Sequence, residues 1–255
     1  MTDVFRNIKL TIAYYGKNYA GWQIQKNDKT VQGEIEKALS IIHKSDVKIT
    51  GAGRTDSGVH ARAQVANFRT QLDSIPSGKF SLALNSLLPD DIRILESREE
   101  SPSFNSRYDA VKRVYKYYLG DKMVMTPWER SMAMYVNKPL DINALNSYAS
   151  IIEGKHDFTS FSAPMEEHVS MVREIFSSVF YPEYPFIVYK IAGSGFLRKM
   201  VRSITGTIIH LYTSGGTPED FREILKSLDR SKAGTTAPAY GLFLDSVHYA
   251  GDTCL

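Results

Sequence analysis

The sequence predicts an α+β fold: two successive halves, each ordered strand, helix, strand, strand, helix, strand, joined into one extended antiparallel mixed sheet with helices on one face. Three observations predict it. Apolar and polar residues alternate in short runs, as in strands with one buried face. Between those runs apolar residues recur every third or fourth position, as in amphipathic helices. The same order of runs occurs twice within 255 residues.

In the first half, Ile8, Leu10, Ile12 and Tyr14 alternate as a strand, and Val31, Ile35, Leu39 and Ile42 recur at helical spacing. Strand-like runs follow at Val47 to Thr50 and Ala63 to Phe68, separated by a glycine-rich loop. "KFSLALNSLLP" reads as a helix stopped by Pro89, and "DIRILESRE" as a strand. This β-α-β-β-α-β order is the ferredoxin-like arrangement, in which two helices cover one sheet face. The second half repeats the order without visible sequence similarity. It has a strand at Val111 to Leu119, a helix at Ile142 to Ile152, strands at Val169 to Tyr181 and Phe186 to Ile191, a helix at Phe196 to Leu211 and a last strand at Leu242 to Tyr249. An extra helix, Pro218 to Leu228, precedes that strand. "SPSFNS", Ser101 to Ser106, has the Pro and Ser of a connector, so the expected domains are 1–104 and 105–255.

Composition narrows the function classes. Lys and Arg exceed Asp and Glu by 31 to 28, a mild excess of +3 that selects no partner by itself. Cys254 is the single cysteine, so one chain can build neither a disulfide framework nor a cysteine-based zinc site. No run reaches the ~18 apolar residues of a membrane span, and charges are scattered through the first residues, so the expectation is a cytoplasmic protein. The six histidines lack metal-ligand spacing such as H-E-x-x-H. The "GSG" before the Phe196 helix completes neither G-x-G-x-x-G nor a Walker loop, and no G-x-S-x-G elbow occurs. No metal, cofactor or nucleotide site is expected.

Three stretches hold residues that could carry chemistry. In "GAGRTDSGVHARAQVANF", Gly51, Gly53 and Gly58 surround Arg54, Thr55 and Asp56, a backbone that can turn sharply and be approached closely. Asp56 reads either as an Asx-turn residue binding its own amides or as a reactive carboxylate kept ionised by a neighbouring cation such as Arg54. In "AVKRVYKYYLGDK", alternation puts Arg113, Tyr115 and Tyr117 on one face and Val114, Lys116 and Tyr118 on the other. Such a strand is either solvated and amphipathic or a surface where aromatics stack on bases and cations meet phosphates. In "GSGFLRKMVRSITGTIIHL", Arg198 and Arg202 lie four apart beside an apolar stripe. They read as snorkelling surface residues or as partners for a carboxylate on another element.

Six ordered motifs, "AGWQIQ" with "VQGEIEKAL", "GAGRTDSGVHA", "RVYKYYL", "GKHDFTSF", "GFLRKMVRSITGT" and "APAYGLFL", span the chain. Together they resemble the TruA-type tRNA pseudouridine synthases. The resemblance implies the pseudouridine synthase fold and isomerisation of uridine in the anticodon stem-loop of tRNA, at positions 38 to 40, without cofactor. It implies a homodimer, with the anticodon arm crossing both subunits. Asp56 then matches the catalytic aspartate, Tyr115 the tyrosine stacked on the target uracil and Arg202 the arginine paired with the carboxylate. Arg54 matches the arginine that occupies the place of the displaced nucleotide, and Arg113, Lys116 and Arg198 are further candidates for binding the substrate. Two departures stand out: "YYGK" at Tyr14 to Lys17, where the family commonly has "YDGT", and Ser57 where many members have Ala. The other readings are a noncatalytic tandem ferredoxin-like RNA-binding protein and a synthase with a different RNA target.

Overall fold

The computed structural model describes residues 5–120, 125–164 and 168–252; Cys254 lies outside them. The fold is α+β, with ten strands among the described residues in one mixed sheet. The chain divides into two units, Met1–Val111 with Leu244–Leu255, and Lys112–Phe243.

The first unit is built around β1 (Arg6–Tyr14), whose Ile8, Leu10 and Ile12 are fully buried. β1 pairs antiparallel with β3 (His60–Thr70) on one side and with β4 (Ile92–Glu100) on the other. β2 (Thr50–Gly51) pairs with β3, and this arrangement of β4, β1, β3 and β2 is that of a ferredoxin-like unit. α1 (Val31–His43) begins where the Thr30 hydroxyl accepts the Gly33 amide at 3.2 Å, and it buries Val31, Ile35 and Leu39. α2 (Phe80–Asn85) buries Phe80 edge-on against Phe68, with ring centroids 5.3 Å apart.

One strand is shorter than its sequence predicts. Of Val47 to Thr50, only Thr50 is in β2, because side chains of α1 occupy the main chain of Ile49, the residue before it. The Ile49 amide donates to Glu36 Oε1 at 3.2 Å and the Ile49 carbonyl accepts from Gln32 Nε2 at 3.3 Å. Lys48 adds an ion pair to Glu36 at 2.9 Å. Two polar side chains on the buried side of α1 therefore take the place of a neighbouring strand.

In the second unit the strand order is β5 (Ala110–Gly120), β9 (Phe186–Gly193), β8 (Val172–Glu183) and β7 (Gly154–Asp157), all antiparallel neighbours. β6 (Met134–Tyr135) runs parallel to the end of β5. The helices are α3 (Pro127–Met132), α4 (Ile142–Ala149), α5 (Met200–Ser214) and α6 (Pro218–Ser227). Tyr117, Phe158, Phe161, Phe180, Tyr189 and Phe221 are its largest fully buried side chains. Thr217 and Asp220 form a reciprocal capping box that starts α6, with Pro218 in its first turn. The last strand, β10 (Leu242–Tyr249), begins in this unit and ends in the first.

α5 starts later than the apolar spacing predicts. Lys199 takes a left-handed conformation (φ 63°), which breaks the helix between Phe196 and Met200. Arg198 consequently sits in a turn rather than one helical turn before Arg202. α3, β6 and β7 are not apparent in the sequence: they are short and lack a long apolar period. Among the described residues no helix is long and apolar enough to cross a membrane.

Candidate active site

The loop from β2 to β3 carries Asp56, and its backbone is tied down on both sides of that residue. The Ala52 amide donates to the Val65 carbonyl at 2.8 Å, and Gln64 Nε2 donates to the Gly53 carbonyl at 2.9 Å. Thr55 is buried, its hydroxyl 2.8 Å from that of Tyr14 and its carbonyl accepting the Trp22 amide at 3.1 Å. After Asp56 the chain turns at once. The Val59 amide returns to the Asp56 carbonyl at 3.1 Å, with Gly58 at φ 79°. The Tyr19 carbonyl accepts both the Ser57 hydroxyl, at 3.1 Å, and the Gly58 amide, at 3.4 Å. The side chain of Asp56 is left half-exposed on a fixed turn.

The segment from Tyr14 to Trp22 forms the clamp, and two glycines let it approach. Gly21 has φ 108°, and a Cβ there would lie 2.6 Å from the Thr55 carbonyl oxygen. A Cβ on Gly16 would lie 1.9 Å from the Val59 oxygen. The Trp22 ring packs over Gly51, where a Cβ would come within 2.6 Å of it. His60, fully buried at the start of β3, accepts the Gly16 amide through Nδ1 at 2.9 Å and stacks on Tyr15 with centroids 4.5 Å apart. That acceptor role places the neutral ring's proton on Nε2. The "YYGK" departure therefore abuts the loop, since Tyr14 bonds the residue next to Asp56. Arg54 is exposed, and its Nε donates to Gln23 Oε1 at 3.1 Å.

In the second unit, Arg113 and Tyr115 on β5 meet the segment that leads into α5. Arg113 Nη1 donates to the Ser194 carbonyl at 2.8 Å. The Tyr115 ring stands edge-on to Phe196 with centroids 5.1 Å apart. Tyr117, two residues on, is no surface platform: it is fully buried and its hydroxyl donates to the Pro238 carbonyl at 2.8 Å. Burial pushes its phenol well above the ordinary range. Lys116 points elsewhere, 3.6 Å from Glu183. Arg198 is exposed and donates to the Pro164 carbonyl at 3.0 Å.

Arg202, in the first turn of α5, is half-buried and held by a reciprocal main-chain contact. Its Nε donates to the Ala237 carbonyl at 2.8 Å, and the Ala237 amide donates to the Arg202 carbonyl at 3.0 Å. The Gly234 amide bonds the Thr207 hydroxyl at 3.0 Å. Gly206 lets this loop lie against α5, because a Cβ there would be 1.9 Å from the Thr235 oxygen. The segment 234–237, which leads into the motif "APAYGLFL", is thus a strap that fixes the root of Arg202.

The sequence motifs supply the candidate residues, Asp56 among them, but do not single out those that hold the Asp56 turn: Gly16, Tyr19, Gly21, Trp22 and His60. The signal was present in "YYGKNYAGW", where glycines stand among aromatics that demand close packing. Among the described residues no group of three or more His, Cys, Asp or Glu could hold a metal ion.

A family model described as tRNA pseudouridine synthase matches residues 10–109 and 149–250. The chain is 43% identical over 252 residues to a tRNA pseudouridine synthase A of Treponema denticola, covering 97% of this chain and 94% of that protein. It is 46% identical over 244 residues to the protein of the same name from Borrelia duttonii, covering 96% and 99%. The corresponding protein of Ruminiclostridium cellulolyticum is 44% identical over 245 residues, covering 96% and 100%. With nearly its whole length matched at this identity, the chain belongs to the tRNA pseudouridine synthase family.

Proposed function

We propose that the protein isomerises uridine to pseudouridine in tRNA, and that its targets are positions 38 to 40 of the anticodon stem-loop. The observation that carries this reading is the 43% to 46% identity, across almost the whole chain, to proteins named tRNA pseudouridine synthase A. In the reaction the C1′–N1 bond breaks and the uracil turns over. A C1′–C5 bond forms, the C5 proton leaves and N1 takes up another. Atoms and electrons balance within the nucleoside, so the chemistry consumes no water, oxidant or energy source.

Asp56 is the nucleophilic carboxylate in this reading. Its turn is tied through Thr55, Ser57 and Gly58, so little ordering of the loop is left for the reaction to supply. Tyr115 is the ring that stacks on the uracil, steadied by Phe196. Arg202 is the cation that pairs with the carboxylate, its Nε fixed on Ala237. Arg54, on the exposed side of the loop, occupies the place of the nucleotide that must leave the stack. Arg113, Lys116 and Arg198 bind the substrate. The working form is a cytoplasmic homodimer whose two subunits share one anticodon arm.

The test is release of tritium from tRNA carrying [5-³H]uridine, followed by mapping of the modified positions. Release confined to positions 38, 39 and 40 is the expected result. Tight tRNA binding without any release would overturn the enzymatic reading, and release from other positions would overturn the assigned target.

A further inference from the structure

We propose that Asp91, acting through the Tyr19 hydroxyl, is a positioning carboxylate for the Asp56 turn; this rests on the reading of Asp56 as the reacting group. Asp91 holds the clamp segment at three points. Its carbonyl accepts the Tyr15 amide at 2.9 Å, one carboxylate oxygen accepts the Tyr19 hydroxyl, and the other accepts Asn18 Nδ2 at 3.4 Å. Tyr19 is 2% exposed, and the Lys29 ammonium lies 4.8 Å above its ring. Burial and the bond to Asp91 push the Tyr19 phenol far up, so it stays a donor throughout the neutral range.

At its other end the same residue grips the catalytic turn, because the Tyr19 carbonyl takes the Ser57 hydroxyl and the Gly58 amide. Asp91 to Tyr19 to Ser57 and Gly58 is one continuous chain of bonds ending beside Asp56. Ser57, where many family members have Ala, supplies one of its last links. A side chain in the turn just before β4 thereby sets the direction of a carboxylate 35 residues earlier in the sequence. Nothing in the chemistry requires Asp91 to touch RNA. Its effect falls on the rate of the chemical step, since a turn displaced by about 1 Å can lose on the order of 10²-fold in rate.

The experiment measures single-turnover tritium release with enzyme in excess at saturating tRNA, beside tRNA affinity and melting temperature. Tyr19→Phe and Asp91→Ala should each slow release about 10-fold or more while tRNA affinity stays within about threefold. Asp91→Asn, whose amide oxygen still accepts the phenol, should stay within about threefold of wild type. The double variant Tyr19→Phe/Asp91→Ala should be no more than about twofold slower than the slower single variant, because both cut one chain. Wild-type rates in Tyr19→Phe, additive losses in the double variant, or rates that merely follow melting temperature across the set would overturn the proposal. Asp56→Asn in the same assay separates the two readings. If it is inactive while Tyr19→Phe is normal, only the positioning role fails; if it is active, the assignment of Asp56 fails.

Discussion

Gly21→Ala is a small perturbation with a calculable outcome. At φ 108° an alanine is in a conformation that costs about 1–2 kcal/mol for an L-residue. The new Cβ would stand 2.6 Å from the Thr55 carbonyl oxygen, a main-chain atom that cannot rotate away. Relief requires the Thr55 carbonyl to shift, which loosens the Trp22 amide bond to it and forfeits about 0.5–1.5 kcal/mol. Alanine recovers about 0.4–1 kcal/mol by restricting the unfolded chain. The net is a loss of roughly 0.5–3 kcal/mol, or about 1–12 °C in melting temperature for a chain of this size. Gly53→Ala is the comparison: it lies in the same loop, but no atom stands within 4 Å of its Cβ position and its φ is not in the left-handed region, so stability should hold. Thermal melts report stability, and tritium release at saturating tRNA reports the loop. Gly21→Ala should lose turnover beyond any loss of tRNA affinity, because the displaced atom adjoins Asp56. Unchanged melting temperature and turnover in Gly21→Ala would refute the clamp.

The phenols of Tyr19, Tyr117 and Tyr189 are all raised, each chiefly by burial. Above pH about 10 the unfolded chain releases these protons while the folded chain keeps them, so stability is full below that pH and falls as pH rises beyond it. Urea midpoints that stay flat between pH 9 and about 11 would contradict this. Arg202→Ala should depress turnover even at saturating tRNA, with Arg202→Lys recovering only part, because lysine lacks the planar fork. Arg198→Ala should instead weaken tRNA binding and lower its salt slope by about one; equal kinetic phenotypes for the two arginines would contradict their separate roles. Tyr115→Phe should bind tRNA more tightly than Tyr115→Leu by about 1–3 kcal/mol, and equal affinities and rates would remove the stacking role.

The long elements were legible because their burial is periodic. Ile8, Leu10 and Ile12 alternate in sequence and are fully buried in β1, and Val31, Ile35 and Leu39 recur at helical spacing and are fully buried in α1. Where periodicity failed, a local bond had won. Val47 to Ile49 look like a strand, yet Gln32 and Glu36 of α1 take both main-chain groups of Ile49. Phe196 to Lys199 fit the helical stripe, but Lys199 turns left-handed and delays α5. The candidate site residues were named through their motifs. Their supports were not, because a glycine that makes room for a carbonyl leaves no periodic trace. Tyr19 and Asp91 lie 72 residues apart and show no common pattern before the fold joins them.

The central claim is that this chain makes pseudouridine with the carboxylate of Asp56. It is tested most directly by tritium release from [5-³H]uridine-labelled tRNA with wild type and Asp56→Asn, each matched for tRNA affinity and melting temperature. The account predicts release by wild type, essentially none from Asp56→Asn, and tRNA affinity within a few-fold between the two, since the substitution keeps shape and removes only the charge. Comparable release by a folded, tRNA-binding Asp56→Asn protein would contradict it.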